Sequence, residues 1–132
     1  MSPERVSPVP KGKAAIYLRK ASDFARSMEA AGTDRNFDAV GLSGIHAVIS
    51  ACDALTVSRL GLRSTAQDHS QVLKLLIQCG APTPFLTQVR ETLGLKNQIE
   101  YEARPLSEEE GTRLRLRVRR VLDFVRKSIG TG

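Results

Sequence analysis

Apolar residues recur along most of this chain at intervals of three and four, the spacing that places side chains on one face of an α-helix. The first such segment covers about residues 11–31, and its apolar stripe consists of Ala14, Tyr17, Leu18, Ala21, Phe24, Ala25 and Met28. The second covers about residues 36–60 and includes Gly41 and Gly44, where a neighbouring backbone can approach closely. These patterns predict two long helices with closely packed faces.

Turn residues divide the rest of the chain into three further helices. A turn at residues 61–64 and a Gly-Ala-Pro stop at residues 80–82 bracket a short third helix over about residues 66–78, which Thr65 can cap. The fourth helix is capped by Thr83 and has a proline at its first position, where the missing N–H costs nothing. An Arg-Pro pair then ends it.

The last helix begins at a capping box formed by Ser107 and Glu110 and continues to about Ile129. Five helices joined by short loops predict an all-α fold, an up-and-down antiparallel helical bundle of four long helices plus one short helix. A chain of 132 residues is long enough for a single core. We therefore expect one domain at residues 11–132, behind a flexible N-terminal lead at residues 1–10.

Composition narrows the class of protein and its compartment. The chain contains no Trp, four Phe and two Tyr, so its core has to be built from aliphatic residues, which suits helix packing. Residues 1–13 have three prolines and no apolar run, so we expect neither a signal peptide nor a membrane anchor there. Cys52 and Cys79 lack the paired spacing of a zinc site or a disulfide framework. We expect free thiols in a reducing cytoplasm, with no metal and no cofactor.

The positive charge is concentrated on the predicted last helix. Residues 113–127 contain seven bases and a single acid, and the whole chain has a formal net charge of +6. The bases form two ridges beside the apolar stripe, one of which contains Arg113, Arg117 and Arg120. One interpretation is contact with phosphates of RNA or a nucleotide. The alternative is a solvated helix with local ion pairs such as Glu109 with Arg113.

The fourth helix changes character along its length. Its first half carries an apolar stripe, which the second half continues with the polar residues Lys96, Asn97, Glu100 and Tyr101. Polar side chains where packing favours Leu or Val indicate a functional surface. The alternative is a surface ion pair between Lys96 and Glu100, because residues four apart on a helix are neighbours.

Five segments of these helices share a layout known from one family. They are Ala-Ala-Ile-Tyr-Leu-Arg-Lys-Ala at residues 14–21, Gly-Ile-His-Ala-Val-Ile-Ser-Ala-Cys-Asp-Ala-Leu at 44–55, His69 with the leucines after it, Leu-Lys-Asn-Gln-Ile-Glu-Tyr at 95–101, and Leu-Ser-Glu-Glu-Glu at 106–110. Together they resemble the HEPN domains, small helical bundles named for higher eukaryotes, prokaryotes and nucleotide binding. The likeness covers nearly all of residues 11–129, and its motifs are diffuse.

The resemblance implies an altered catalytic motif. Many HEPN domains are metal-independent ribonucleases that use an Arg and a His with four to six residues between them, and a polar residue often follows the Arg. Two protomers bring these motifs together at a dimer interface. Carried over to this chain, the Arg position is Lys96, the polar position is Asn97 and the His position is Tyr101. Tyrosine ionises near pH ~10 and cannot replace imidazole as a proton shuttle, although lysine still holds a phosphate as a point charge. The resemblance therefore implies a member without nuclease activity.

Two other sets of residues have spacings that suggest catalysis. Arg63 and His69 have five residues between them, but they lie before the third helix, so we interpret His69 as a structural residue at a helix N-terminus. His46, Ser50 and Asp53 form a ridge on the second helix, where no strained nucleophile turn or oxyanion hole is available. We expect that ridge to face solvent or a partner.

These observations favour a catalytically degenerate HEPN-like domain that forms a homodimer through its second and fourth helices and binds a nucleotide, RNA or a protein partner. The predicted binding residues are Lys96, Asn97, Tyr101, Arg113, Arg117 and Arg120, of which the first three are also the catalytic candidates. The resemblance implies bacterial defence or toxin–antitoxin biology, with a nucleotidyltransferase as one such partner. Two alternatives stay open. One is a metal-independent ribonuclease with a non-standard site, using Lys96 with Tyr101 or Arg63 with His69, and the other is a structural interaction module.

Overall fold

The computed structural model describes residues 5–66, 69–102 and 104–130, and these form a bundle of α-helices. The helices are α1 (Ala14–Thr33), α2 (Phe37–Leu60), α3 (Ser70–Gln78), α4 (Thr83–Tyr101) and α5 (Glu108–Ile129), and a 3-10 turn at Lys11–Lys13 leads into α1. Four helices are long and α3 has nine residues. The predicted all-α bundle of four long helices and one short helix is confirmed.

α2 is the central helix and packs against α1, α4 and α5. Residues 50–57 are buried on every side of it, as expected for a helix that is apolar around its whole circumference. By length and composition, α2 is the one helix among the described residues that is apolar enough to cross a membrane. However, 78% of its most apolar stretch is buried inside the bundle, which is consistent with the core helix of a soluble protein.

Two glycines of α2 allow its neighbours to approach closely. A Cβ atom at Gly44 would lie 3.2 Å from both Met28 Sδ on α1 and Leu114 Cδ2 on α5. A Cβ atom at Gly41 would lie 2.5 Å from Cδ1 of Ile99 on α4. The close approach predicted at these two positions is confirmed, because any larger residue would displace core side chains.

The helix ends follow local capping chemistry. In the predicted capping box, the Glu110 backbone N–H donates to Ser107 Oγ at 3.1 Å and the Ser107 N–H donates to Glu110 Oε1 at 2.9 Å. α2 is capped by Asn36, whose Oδ1 accepts a hydrogen bond from the Ala39 N–H at 3.3 Å.

A two-stranded antiparallel sheet, which the sequence does not predict, ties the N-terminus to the end of α2. β1 (Val6–Pro8) pairs with β2 (Leu62–Ser64), although residues 6–8 belong to the predicted N-terminal lead. Beyond β2, the Thr65 N–H donates to the Arg5 carbonyl at 2.8 Å, and α3 starts at Ser70, later than predicted. Thr65 is therefore not its cap. Strands of three residues are too short to show a pattern, and their partners are distant in sequence.

Candidate functional site

A cavity of about 300 Å³ lies between α2, α4, β2 and the residues that lead into α3. Its apolar lining comes from the helices, with Ile49 on α2 as one member. In the part of the chain that the structure describes, its charged lining consists of Asp53, Arg63 and Lys96, and His69 is also part of the wall. A cavity of this size, with an apolar body and a few converging polar groups, is typical of small-ligand sites.

Arg63 and Asp53 form an ion pair in the wall of this cavity. Arg63 Nε donates to Asp53 Oδ2 at 2.9 Å, and the Asp53 side chain is 6% exposed against 41% for Arg63. Burial raises the pKa of Asp53, and the hydrogen bond from Arg63 opposes that shift. The guanidinium also lies over the Tyr17 ring, 5.4 Å from its centroid. Its two terminal nitrogens are bonded to no acceptor among the described residues.

Lys96 and His69 reach the same cavity from α4 and from the residue before α3. Lys96 Nζ lies 4.0 Å from Glu100 Oε1, so the predicted pair is present, but it is long and partly exposed and contributes little to stability. Arg63, His69 and Lys96 are thus brought together in one place. The sequence had divided these three residues between two separate candidate sites.

Asn97 and Tyr101 do not line this cavity, although the resemblance groups them with Lys96. Asn97 is exposed, and Tyr101, the last residue of α4, is 78% exposed. The reason is helical geometry: at about 100° per residue, positions one and five residues after Lys96 point roughly 100° and 140° away from it. Within one chain, Lys96 is therefore separated from the other two residues of its predicted motif.

Two further cavities adjoin the first and share residues with it. One, of about 310 Å³, is bordered by α1 and α2 and shares Asp53 and Arg63 with the first. The other, of about 140 Å³, lies between α2 and α4 and shares Lys96 with the first. Ile49 lines all three cavities, and His46 lines both of the added ones. Because they share these residues, the three cavities are neighbours across α1, α2, α4 and β2, and together we name them the groove.

The sequence predicts that the ridge of His46, Ser50 and Asp53 on α2 faces solvent or a partner, but most of this ridge is covered by the protein's own chain. All three line the 310 Å³ cavity, but Ser50 and Asp53 are buried and only His46 is exposed. The expectation fails because α2 is covered by other elements on this side, including β2. His46 stacks on Phe24, with ring centroids 5.1 Å apart, and Asp53 bonds to Arg63. The ridge therefore shapes the groove, and its residues do not form a hydrolase triad.

Most bases of α5 are neutralised by acids of the bundle. Glu29 on α1 receives hydrogen bonds from Arg115 Nε at 2.8 Å and from Arg119 Nε at 2.7 Å. The bond from Arg119 is the main cause of a lowered pKa at Glu29, opposed by partial burial. This ridge of α5 thus fastens the helix to α1, with Arg126 donating to Ser22 Oγ at 3.0 Å further along.

The other ridge of α5 contains the three arginines predicted to bind a ligand. Arg113 pairs with Glu109 at 2.6 Å, which confirms the local pair expected for a solvated helix. Arg117 pairs with Glu91 on α4 at 3.1 Å. Among the described residues, Arg120 has no acidic partner within ion-pair distance. Five of the seven bases at residues 113–127 thus have an acidic partner, with Glu29 shared by two of them, and none of the seven lines the groove.

Both cysteines are free thiols, as predicted. Cys52 is buried in α2, where burial strongly raises its pKa and keeps the thiol protonated. Cys79 is half-buried, and its pKa is also raised by burial. Within residues 5–66, 69–102 and 104–130, no group of three His, Cys, Asp or Glu side chains has the arrangement of a metal site.

The residues that sequence reasoning failed to combine are those that the sheet and α2 bring together. Tyr17 and Lys20 lie one turn apart on α1, and both border the groove beside Arg63. The available local signal was Lys20 one turn after Tyr17, but Arg63 reaches the Tyr17 ring only through β2. That neighbour relation depends on long-range strand pairing, which is not visible in a local pattern.

Compared with models of known protein families and with curated protein sequences, the chain matches none. The resemblance to HEPN domains therefore rests on the sequence motifs quoted above alone.

Proposed function

We propose that the groove binds a phosphate-bearing ligand, a nucleotide or RNA, and that the protein is a catalytically degenerate HEPN-like domain. The observation that carries this proposal is the hydrogen bonding of the Arg63 guanidinium. Its Nε is held by the buried Asp53 carboxylate, while its terminal nitrogens are bonded to no acceptor among the described residues. A guanidinium fixed in this way presents paired donors that match the geometry of a phosphate.

Lys96 supports the same ligand class. It lines the cavity together with Arg63, and its only described acidic neighbour, Glu100, is 4.0 Å away. Among the described residues, two cations against one carboxylate, that of Asp53, give the charged lining of this cavity a net positive balance. An anion that enters the cavity gains from both cations, and the partly apolar walls reduce the screening by water.

The placement of the altered motif supports binding without turnover. Tyr101 is exposed and separated from Lys96 around the helix, so it has no described role in the cavity. The α4 motif therefore offers a cation for binding and no group suited to move a proton.

The test is direct binding of a labelled RNA octamer and of inorganic pyrophosphate at several salt concentrations. We expect Arg63→Gln and Lys96→Gln each to weaken binding by about tenfold, which corresponds to ~1.4 kcal/mol. Arg113→Gln is the matched control, because it removes the same charge from a paired site on α5. Equal losses in all three variants, or no binding to the wild-type protein, would contradict the proposal.

A metal-independent ribonuclease is the second candidate, and one observation favours it. Arg63 and His69, which have the spacing of the family motif, share the cavity with Lys96. In such a reaction His69 would take the proton from a ribose 2′-hydroxyl as its oxygen attacks the adjacent phosphorus. The phosphorus–5′-oxygen bond would break, water would protonate the leaving oxygen, and Arg63 with Lys96 would stabilise the added negative charge.

The two candidates differ in a simple assay. The purified protein is incubated with RNA in EDTA. Cleavage that His69→Ala abolishes and Tyr101→Phe does not would support the ribonuclease and contradict the domain that binds without turnover. RNA that is bound and recovered intact would favour the degenerate domain. If RNA neither binds nor is cleaved, the remaining alternative is a structural interaction module.

We also propose a homodimer through α2 and α4, with a cytoplasmic role in bacterial defence or a toxin–antitoxin system. The support is the resemblance, together with Leu42, an apolar residue of α2 that is exposed beside Ile99 of α4 in the smallest cavity of the groove. A protein partner such as a nucleotidyltransferase belongs to the same proposal. Sedimentation equilibrium tests the dimer, and a strict monomer at high protein concentration would contradict it.

A further inference from the structure

Phe24 and His46 form a stacked pair of rings at the surface of the groove. Their centroids are 5.1 Å apart with an interplanar angle of 26°, and both residues line the 310 Å³ cavity. Phe24 belongs to the apolar stripe of α1, yet it is 36% exposed. Burial of a Phe side chain is favourable, and this ring nevertheless keeps part of its surface in water. The stack provides an aromatic surface on which a further ring can pack.

The same cavity combines this stack with cations. Lys20 Nζ and Arg63 Cζ lie 5.7 Å and 5.4 Å from the centroid of the Tyr17 ring, which also lines the cavity. Both cations therefore lie near the same aromatic ring, that of Tyr17. Aromatic rings and cations in one concavity match a ligand that alternates flat rings with negative charge.

The acids of this cavity are already engaged. Asp53 accepts its hydrogen bond from Arg63, and Asp23 is paired with Arg26 on the next turn of α1. An incoming phosphate therefore meets carboxylates whose charge is compensated by arginines. Among the described residues Lys20 forms no ion pair, and its charge acts on Asp53 through space without a hydrogen bond, so the ammonium group can also attract the ligand.

We infer that the ligand of the groove is single-stranded nucleic acid, with one base stacked on Phe24 and His46 and a neighbouring phosphate held by Arg63. This inference rests on the proposed function and adds the form of the ligand. A base inside a duplex is stacked on both faces and cannot reach a protein ring, whereas a single strand presents its bases freely. The groove also continues past Arg63 to Lys96, and this extent suits an oligonucleotide better than a mononucleotide.

An acidic peptide with an aromatic residue is the competing occupant. It would meet the same cations, but a peptide carboxylate is a weaker match than a phosphate for a guanidinium that presents its terminal nitrogens together. The two rings at the surface also favour a flat base, since stacking needs no specific edge contacts and tolerates any sequence. The observations therefore favour nucleic acid.

The experiment compares two probes, fluorescein-labelled octauridylate and inorganic pyrophosphate, on the full chain. We expect Phe24→Leu to weaken octauridylate binding by about tenfold, the size of one lost base stack, and to leave pyrophosphate binding unchanged. Phe24→Tyr should restore octauridylate binding because it returns the ring. Ile16→Ala is the matched control: Ile16 is also an exposed apolar residue of α1, and it does not line the groove.

The outcomes separate this inference from the proposed function. If Arg63→Gln weakens both probes while Phe24→Leu changes neither, the stacking site is wrong and phosphate binding stands. If the wild-type protein binds neither probe, the proposed function fails. Duplex RNA that binds as tightly as octauridylate, or an acidic peptide that binds where octauridylate does not, would overturn the inference. Thermal melts of each variant show whether a loss of binding reflects unfolding.

Discussion

Arg63 Nε and Asp53 Oδ2 lie 2.9 Å apart, and this contact joins strand β2 to the buried middle of α2. Asp53 is surrounded by core residues of α2, whereas Arg63 is partly in solvent, so the pair bridges the core and the groove. Arg63, one residue of a three-residue strand, thus pairs with a buried carboxylate and is itself the main candidate for binding phosphate. The consequences for stability and for binding can be measured separately.

Replacing Arg63 with Met should destabilise the protein by about 1–3 kcal/mol at neutral pH, because it leaves a buried carboxylate without its partner. The difference in the free energy of unfolding between this variant and wild type should become smaller in acid. Burial already holds the pKa of Asp53 above its ordinary value of 3.8, and loss of Arg63 raises it further. As the pH falls through this raised range, Asp53 takes up a proton and no longer needs a cation.

Urea unfolding of wild type and Arg63→Met at pH 7 and at successively lower pH measures this gap. Arg26→Met is the control, since Arg26 pairs with Asp23 on the exposed side of α1 and such pairs contribute at most about 1 kcal/mol. If the difference in stability between the two proteins stays constant or widens as the pH falls, Asp53 is not the group that destabilises the variant.

The helices could be predicted from sequence because their signals are local. Apolar residues repeat within each helix, and the Ser107 to Glu110 capping box spans a single turn. The separation of Lys96 from Tyr101 was also predictable, since it follows from the angle between positions five residues apart on a helix. Both the stripe of polar residues and the resemblance to the family motif had grouped them in one site, although they lie at opposite edges of that stripe.

The rest of the site depends on contacts between distant parts of the chain. Arg63 reaches the cavity because β2 pairs with β1, more than fifty residues earlier in sequence. Arg115 and Arg119 are neutralised by Glu29, which lies 86 and 90 residues away from them. A basic helix therefore looked available for binding in sequence, although the bundle supplies it with acids. Neither of these long-range contacts can be predicted from the spacing of residues in the sequence.

Binding should depend on the groove more than on α5. We expect the double variant Arg63→Gln, Lys96→Gln to lower the affinity for RNA by about 100-fold and to reduce the slope of log affinity against log salt by about 1 for each lost phosphate contact. The double variant Arg117→Ala, Arg120→Ala removes equal charge, but Arg117 is already paired with Glu91. Its effect should be several-fold smaller.

Fluorescence anisotropy across a salt series measures both quantities. A larger loss in the α5 double variant than in the groove double variant would move the binding surface to α5 and contradict the assignment of the groove.

Two glycines in helices should respond in opposite directions to replacement by alanine. Gly94 lies inside α4, and a Cβ atom there would have no atom within 4 Å. Gly94→Ala should therefore stabilise the protein by about 1 kcal/mol through helix propensity. At Gly44 the same gain is available, but the added methyl group would press on Met28 and Leu114, which are fully buried.

We expect Gly44→Ala to cost a net ~1 kcal/mol, since overpacking of a core costs roughly 1–3 kcal/mol and exceeds the propensity gain. Thermal and urea unfolding of both variants measure the two signs in one experiment. A stabilising Gly44→Ala would mean that α1 and α5 can move away from α2 at little cost.

Glu110 should give the protein part of its stability above the ordinary glutamate range and lose it in acid. Its carboxylate accepts two hydrogen bonds from Arg104, at 2.8 Å and 3.1 Å, and further ones from the Ser107 N–H and from Gln98 Nε2. The bond from Arg104 is the largest cause of a pKa far below the usual value of 4.5. A lowered pKa stabilises the folded state above 4.5, and the contribution is lost progressively as the pH falls below it.

Glu110→Gln should therefore be less stable than wild type at pH 7, and the difference should shrink steadily below pH 4.5. Ser107→Ala supplies the contrast, because it removes an uncharged cap from the same turn and should cost about 1 kcal/mol at either pH. Urea unfolding of the three proteins across this range distinguishes a charge effect from a capping effect. If the Glu110→Gln and Ser107→Ala deficits follow the same pH dependence, then Glu110 acts only as a cap, and its bonds to Arg104 contribute nothing measurable.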